Sequence, residues 1–525
     1  MTKFPNQLKI ASISAEVDPY SKTGGLADVA RSLPKALKRQ GHDVVVITPF
    51  YSEIIDPEKY HLKKIAEDVT IIIDNSNKVK VNFWRGYLME DLPIYFIENE
   101  QYFSRRKDLY GSSHENARFL IFCLAALKLL IKIRFEANII QCHDWHTGLI
   151  PYFLKRDFQT SSILKNAVSV LTIHNLTFQF GHNWWEIPPE KRDSGRNGLP
   201  NFNELEVENI NFAKRGIINA DIINAVSEQY AEEILTKDFG QDLHRLLKNR
   251  EDRVFGIVNG IDYKDYNPHN DPGLYRNYDW HNFKVKEKNK LHLQKKYGLE
   301  QNVKIPLICM TSRVAEQKGF DLVREIADIL FQFNVQLIVL GDGDVKIITE
   351  FKELQKKYSK KFVHLFFKCE GNSNLITKLR KKHEKYFGDL TNSFFEPAFL
   401  QETSIFAASD FILIPSRFEP CGLTQMKSMR YGCVPIARYV GGYVDTVYDY
   451  NPRNHTGNGF VFRKYDSRAM LIAISRAIET FKRKDEKNYL TEKVMRQSFS
   501  WEYPARKYVQ LFYKALEFKD KNGKK

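Results

Sequence analysis

Residues 411–437 constrain the fold more than any other stretch. Phe411–Ile414 is a short apolar run that reads as a buried parallel strand. Leu423–Tyr431 reads as a helix stopped by Gly432, and Cys433–Ala437 as the next strand. Between strand and helix lies a loop carrying Arg417, Glu419 and Gly422. A turn of this kind aims free backbone N–H groups and the positive helix end at its ligand, which suits a phosphate. Glu419 adds a carboxylate able to accept hydrogen bonds from hydroxyls such as those of a sugar.

The same alternation recurs along the chain. Leu8–Ala15 is an apolar strand, followed by a loop with Lys22, Gly24 and Gly25, the helix Leu26–Arg39 and the strand Asp43–Pro49. The loop lacks the G-x-G-x-x-G dinucleotide pattern. Its glycines would let the backbone approach a ligand, with Lys22 as a cation beside them. Residues 52–110 read as strands and turns elaborating this unit. Ile139 begins a strand ending in the polar tip Cys142-His-Asp-Trp-His146. Two histidines and Asp144 at that spacing could ligate a metal, but no second cluster completes a ligand set, so a polar sugar-facing or domain-facing loop accounts for them better. Ala167–Ile173 is another strand, with His174 at its tip. Phe178–Asn203 is irregular; the flat faces of Trp184 and Trp185 suit sugar rings as well as a core. Helix and strand resume at Phe212–Asn219 and Asp221–Ser227, and Phe255–Asp262 closes the unit.

Asn267–Asn282 reads as a linker, followed by a helix around Lys284–Tyr297. Pro306–Thr311 then starts a second set of strands, with the tip Ser312–Gly319 carrying Arg313 and Lys318. Gln336–Leu340, the 411–437 unit and Gly459–Arg463 follow, and a last helix spans roughly Tyr503–Phe518. The expected organisation is an N-terminal doubly wound domain over 1–268 and a linker with its helix over 269–302. A second doubly wound domain would cover 303–498, with an insertion near 365–395. A C-terminal helix and basic tail over 499–525 would pack back on the first domain. A chain of 525 residues accommodates two such domains of roughly 200–250 residues.

Composition narrows the function classes. Hydrophobic residues make up 43%, so the core is ample. The formal charge is +15, yet Lys and Arg are spread throughout and mixed with Asp and Glu. That describes a solvated basic surface, favourable to anionic small substrates, and no nucleic-acid motif accompanies it. Six cysteines without a CxxC spacing indicate reduced, buried thiols and a reducing compartment. The longest apolar stretch, Phe119–Ile133, carries Lys128 and Lys132 and reads as a buried helix, not a membrane span. A strand begins within a few residues of Met1, so no leader is expected and the protein should be cytoplasmic.

One rule gathers the unusual residues. Lys22, Gly24, Gly25, Asp144, His174, Arg313, Lys318, Glu419, Gly441 and Gly442 all fall just past the carboxyl ends of expected parallel strands, where open α/β sheets bind ligands. Half belong to each domain, so two doubly wound domains facing across a cleft would bring both sets together. Arg313 and Lys318 with the amides of Gly422, Leu423 and Thr424 would form a diphosphate clamp.

These motifs resemble those of the bacterial glycogen synthases and plant starch synthases. The resemblance rests on Lys-Thr-Gly-Gly-Leu-Ala-Asp-Val at 22–29, Cys-His-Asp-Trp-His at 142–146 and Thr-Ile-His-Asn-Leu at 172–176. Val-Asn-Gly-Ile-Asp-Tyr at 258–263, Ser-Arg-x-x-x-Gln-Lys-Gly at 312–319 and Pro-Ser-Arg-Phe-Glu-Pro-Cys-Gly-Leu-Thr-Gln at 415–425 extend it over the whole chain. It implies a GT-B fold and transfer of glucose from ADP-glucose to the non-reducing 4-hydroxyl of an α-1,4-glucan. It also implies retention of configuration and no metal or other cofactor. Lys22, Arg313 and Lys318 would then partner the donor phosphates, Glu419 would hold glucose hydroxyls, His174 would line the reacting face, and Asp144 would order the cleft. Tyr110 would contact the glucose.

The chain departs from that pattern in three places. Val440 and Tyr443 flank Gly441-Gly442 where Thr and Leu are usual. Phe180 replaces a glycine. About 25–30 extra residues lie around Cys369–Phe394, where an adenine-stacking aromatic is expected and Phe394 or Phe395 could serve. A UDP-glucose user of the same fold and a catalytically silent glucan-binding relative are the alternatives. A silent binder would have no use for a diphosphate clamp.

Overall fold

The computed structural model describes residues 4–106, 108–111, 114–366 and 398–522. Phe394, Phe395 and most of the expected insertion lie outside them. The chain forms two compact units, one of residues 1–260 with 501–525, the other of 261–500.

The first unit is built on strands β1 (Lys9–Ile13), β2 (Asp43–Pro49), β3 (Lys63–Ile72), β4 (Lys78–Met89), β5 (Leu92–Glu98), β6 (Ile139–His143), β7 (Val168–Ile173), β8 (Ile222–Ala225) and β9 (Val254–Gly256). Their order is β3-β4-β5-β2-β1-β6-β7-β8-β9. From β5 to β9 neighbours run parallel, while β3 and β4 add an antiparallel edge. The central strands are buried along almost their whole length and largely apolar, because both faces of a parallel sheet are covered, with a few buried polar residues such as Ser12, Gln141 and His143 among them. β3 instead alternates charged and apolar residues and is mostly exposed, as suits an edge. The helix Glu115–Lys132 is buried along most of its length. This explains its hydrophobicity through core packing, and among the described residues no helix is long and apolar enough to cross a membrane. The C-terminal helix Glu502–Asn522 belongs to this unit, where Tyr508 shares a 3.0 Å hydrogen bond with Asn224 of β8.

The second unit carries β10 (Leu307–Thr311), β11 (Gln336–Leu340), β12 (Phe362–Leu365), β13 (Phe411–Ile414), β14 (Val434–Arg438) and β15 (Phe460–Phe462), in the order β12-β11-β10-β13-β14-β15, all parallel. Its core joins Ile308, Leu337, Phe411 and Ile436 on the strands to Phe320, Phe351 and Ile474 on the helices.

Residues 269–302 are not a free linker. Tyr278 is buried and donates its hydroxyl to the Tyr431 carbonyl at 2.7 Å, and the Tyr431 hydroxyl donates to Asp271 at 2.6 Å. Lys286 is buried and donates to the carbonyls of Phe406, Ala407 and Tyr431 at 3.0, 2.9 and 2.8 Å. One ammonium thus satisfies carbonyls left open at the C-terminal ends of two helices. Proline, glycine and aromatics gave this segment the look of a connector; Tyr278 and Lys286 anchor it to the second unit.

Candidate functional site

Each sheet has a central strand whose two parallel neighbours are reached by connections leading in opposite directions. In the first unit β1 is followed on one side by β2 and on the other by β6. In the second, β10 is flanked by β11 and β13. Adjacent loops diverge there, leaving a crevice at the strand carboxyl ends. The Lys22–Gly25 loop and Asp144 follow β1 and β6, and Arg313–Lys318 and Glu419 follow β10 and β13.

In the first unit the organising group is one that sequence reasoning passed over. Glu16, just beyond β1, is buried and accepts from both the Thr23 amide (2.6 Å) and the Thr23 hydroxyl (2.8 Å). It pins the Lys-Thr-Gly-Gly loop. Its carboxyl is pushed up to about 7, chiefly by burial, against the opposing Thr23 hydrogen bonds. The signal was present, since Glu16 is also a strand-tip residue, but the loop was read for its glycines and lysine. Lys22 is exposed and ion-paired with Asp28. A Cβ at Gly24 would meet nothing within 4 Å, so no protein neighbour demands glycine there. The helix Gly25–Arg39 starts at once, without a side-chain cap.

Asp144 sits at φ 60°, ψ −175°, backbone that side chains other than glycine adopt at a cost on the order of 1–3 kcal/mol. Its amide donates to the Thr172 carbonyl (2.8 Å), and its Oδ1 accepts from the amides of His174 (3.1 Å) and Asn175 (3.4 Å). Burial pushes this carboxyl up to about 7 as well, and the Glu16 charge adds to the effect. Asp144 therefore fastens the tip of β7 to that of β6. Tyr110 lies over His146, ring centroids 4.9 Å apart. Its hydroxyl is buried and has no partner among the described residues. Burial first, then the Glu16 charge, hold it well above the usual tyrosine range. Of the two tryptophans, Trp185 is about half exposed, whereas Trp184 packs edge-on against it under the Arg192 guanidinium. Phe180, the unusual residue in that loop, is buried.

In the second unit Lys318 and Glu419 form a direct, partly buried ion pair. Glu419 also accepts from the Tyr443 hydroxyl at 3.2 Å. Tyr443 is therefore not an idle substitution. Its ring packs on Gly422, where a Cβ would come within 2.5 Å of it, and its hydroxyl reaches the Glu419 carboxylate. Arg313 is exposed and has no side-chain partner among the described residues. The helix after the loop runs Thr424–Arg430, beginning at Leu423 without a side-chain cap. Seven residues give little macrodipole, so free amides near Gly422–Thr424 are its main offering to an anion. Gly441 and Gly442 also meet a steric demand from their own unit. A Cβ on Gly441 (φ +47°) would lie 1.7 Å from the Glu419 carbonyl and one on Gly442 2.1 Å from that of Cys421, and the Gly442 amide donates to Pro420 at 3.2 Å. The pair lets the backbone pack against the loop that presents Glu419.

Two doubly wound units with polar tips gathered at both switch points define a GT-B glycosyltransferase, and solved structures with this architecture align along the chain. Starch synthase IV of Arabidopsis thaliana, whose catalytic domain was solved bound to ADP and acarbose, is similar at 30% identity and TM-score 0.79 over 97% of this chain and all of that one. Residues 9–249 match the starch synthase catalytic domain family. The glycogen synthase of Pseudothermotoga lettingae is 36% identical over 98% of this chain and 100% of its own, and that of Geotalea daltonii 38% over 96% and 98%. The chain belongs to the glycogen and starch synthase family, and is a glycosyltransferase of glucan synthesis.

Proposed function

We propose that the protein transfers glucose from ADP-glucose to the non-reducing 4-hydroxyl of an α-1,4-glucan with retention of configuration. The observation that carries this reading is the Lys318–Glu419 pair at the β10/β13 switch point. A cation for phosphate and a carboxylate for sugar hydroxyls stand side by side, matching the phosphate and sugar that a nucleotide-sugar donor joins. ADP as the nucleotide is supported by the similar Arabidopsis enzyme solved with ADP.

In this reading Lys318 and Arg313, which has no side-chain partner among the described residues, neutralise the diphosphate, joined by amides near Gly422–Thr424, and Lys22 is a further cation for the donor phosphates. Departure through an oxocarbenium-like state depends on stabilising that leaving charge. Glu419, oriented by Tyr443, holds glucose hydroxyls, and the Tyr110 hydroxyl, without a partner among the described residues, is available to hydrogen-bond the sugar. Asp144 positions His174, and the departing phosphate takes the acceptor's proton. The test is extension of a labelled-donor glucan by the purified protein without added metal, with ADP-glucose and UDP-glucose in parallel. Incorporation from ADP-glucose into β-amylase-sensitive chains is expected. Absence of transfer from ADP-glucose would overturn the proposal, and transfer from UDP-glucose alone would reassign the donor.

A further inference from the structure

Three neighbouring strands, β1, β6 and β7, line up a hydrogen-bonded chain of side chains beneath the first unit's switch point. The Ser12 hydroxyl lies 3.1 Å from His143 Nε2, and His143 Nδ1 lies 2.9 Å from His174 Nε2. Ser12 and His143 are fully buried. His174 is half-buried at the tip of β7, and its Nδ1 has no protein partner among the described residues. The His174 backbone cannot drift, because its amide is held by Asp144.

Counting protons sets the polarity of this chain. Burial lowers His143 to about 3 and His174 well below the usual histidine range, so near neutrality each ring is uncharged and carries one N–H. In one direction Ser12 donates to His143 Nε2, His143 Nδ1–H donates to His174 Nε2, and His174 keeps its proton on Nδ1. Every proton in the chain is then used or presented outward. In the reverse direction His174 Nε2–H donates to His143, and His143 Nε2–H donates to Ser12. The Ser12 proton is then stranded, since that hydroxyl has no other hydrogen bond among the described residues. A buried unmade hydrogen bond biases the two arrangements roughly ten- to a hundredfold in population.

We infer that Ser12 and His143 are positioning residues that hold His174 as its Nδ1–H tautomer, so that this ring meets the sugar as a hydrogen-bond donor and not as a base. The donor tautomer can bind an oxygen lone pair, while its only unprotonated nitrogen is occupied by His143. His174 therefore cannot receive the acceptor's proton. This rests on the reading that His174 faces the reacting sugar, but the tautomer itself is measurable without substrate.

The experiment uses the full chain labelled with ¹⁵N-histidine, in which the His174 resonances among 14 histidines are assigned by their loss in His174→Asn. Long-range ¹H–¹⁵N correlation near pH 7.5 should show a protonated-type Nδ1 and an unprotonated-type Nε2. Ser12→Ala should move the tautomer ratio from about tenfold or more towards parity. His143→Gln, whose amide can accept from Ser12 and donate to His174, should restore the Nδ1–H signature that His143→Leu loses. An Nε2–H tautomer or an imidazolium in the wild type would overturn the inference, and an unchanged ratio in Ser12→Ala would remove Ser12 from it. Failure of glucosyl transfer from both donors would instead strike the functional reading and leave the tautomer standing.

Discussion

Replacing Lys318 with alanine separates a structural from a catalytic use of one ammonium. In the free protein Lys318 pairs with Glu419, at side-chain exposures of 24% and 12%. A pair this accessible to water contributes about 1 kcal/mol to stability, and Glu419 keeps its 3.2 Å hydrogen bond from Tyr443 when Lys318 is gone. A cation on a leaving diphosphate acts where charge grows as the bond breaks. Removing one such donor costs on the order of 10²–10³ in turnover, about 3–4 kcal/mol. The expected variant therefore unfolds in urea within about 1–2 kcal/mol of wild type, yet extends glucan at least a hundredfold more slowly. Initial rates at saturating donor, with the denaturation midpoint measured on the same preparation, read both quantities. The double variant Lys318→Ala, Glu419→Gln closes a cycle in which the stability terms couple by about 1 kcal/mol. Turnover within threefold of wild type in folded Lys318→Ala would refute the phosphate assignment.

Further expectations rest on other contacts. Tyr110→Phe removes a buried hydroxyl that has no partner among the described residues, so thermal stability should hold or rise slightly while kcat/KM falls about tenfold; a loss of stability would mean the hydroxyl has a structural role. Tyr443→Phe frees Glu419 from one hydrogen bond and should lower kcat/KM by roughly three- to tenfold without unfolding, measurable in the same glucan assay. Lys286→Met strands the Phe406 and Ala407 carbonyls, while Tyr431 retains Tyr278, and should cost about 3–5 kcal/mol in urea denaturation. Glu16 keeps in the fold a proton that the unfolded chain releases from pH 4.5 upward, so its contribution makes stability fall as pH rises from 4.5 to about 7. Glu16→Gln should flatten that part of the slope, by about 3 kcal/mol at most between pH 5 and 8; an unchanged slope would show that Glu16 is not the group responsible.

Much of the fold was legible because its signals are local. Asp43–Pro49, Phe212–Asn219, Gln336–Leu340 and Phe411–Ile414 are the same segments in sequence and structure, each a run whose apolar spacing matches its own geometry. Placing the unusual residues past strand ends was legible for the same reason, since strand, tip and helix are consecutive. In the segment 269–302 the helix was legible, but its anchoring was not, because its turn residues are local whereas the partners of Tyr278 and Lys286 lie more than a hundred residues away. Glu16 was passed over, and Tyr443 was noted only as a departure from the family pattern, for a related reason. A lone carboxylate or phenol shows its use only through what it touches.

By itself, then, the sequence determined the α/β class, the elements, the family resemblance and which loops carry chemistry, because hydrophobic period, turn residues and motif spacing act within about twenty residues. Tertiary structure alone decided strand order, and with it the two switch points at which those loops diverge. It also decided the contacts that follow from that order: Tyr443 on Glu419, Gly441 and Gly442 against the Glu419 loop, and Ser12 to His143 to His174 across three strands that are 131 and 31 residues apart. Such contacts depend on the register of parallel strands joined by crossovers. The pattern within a single segment does not encode which neighbour it will acquire.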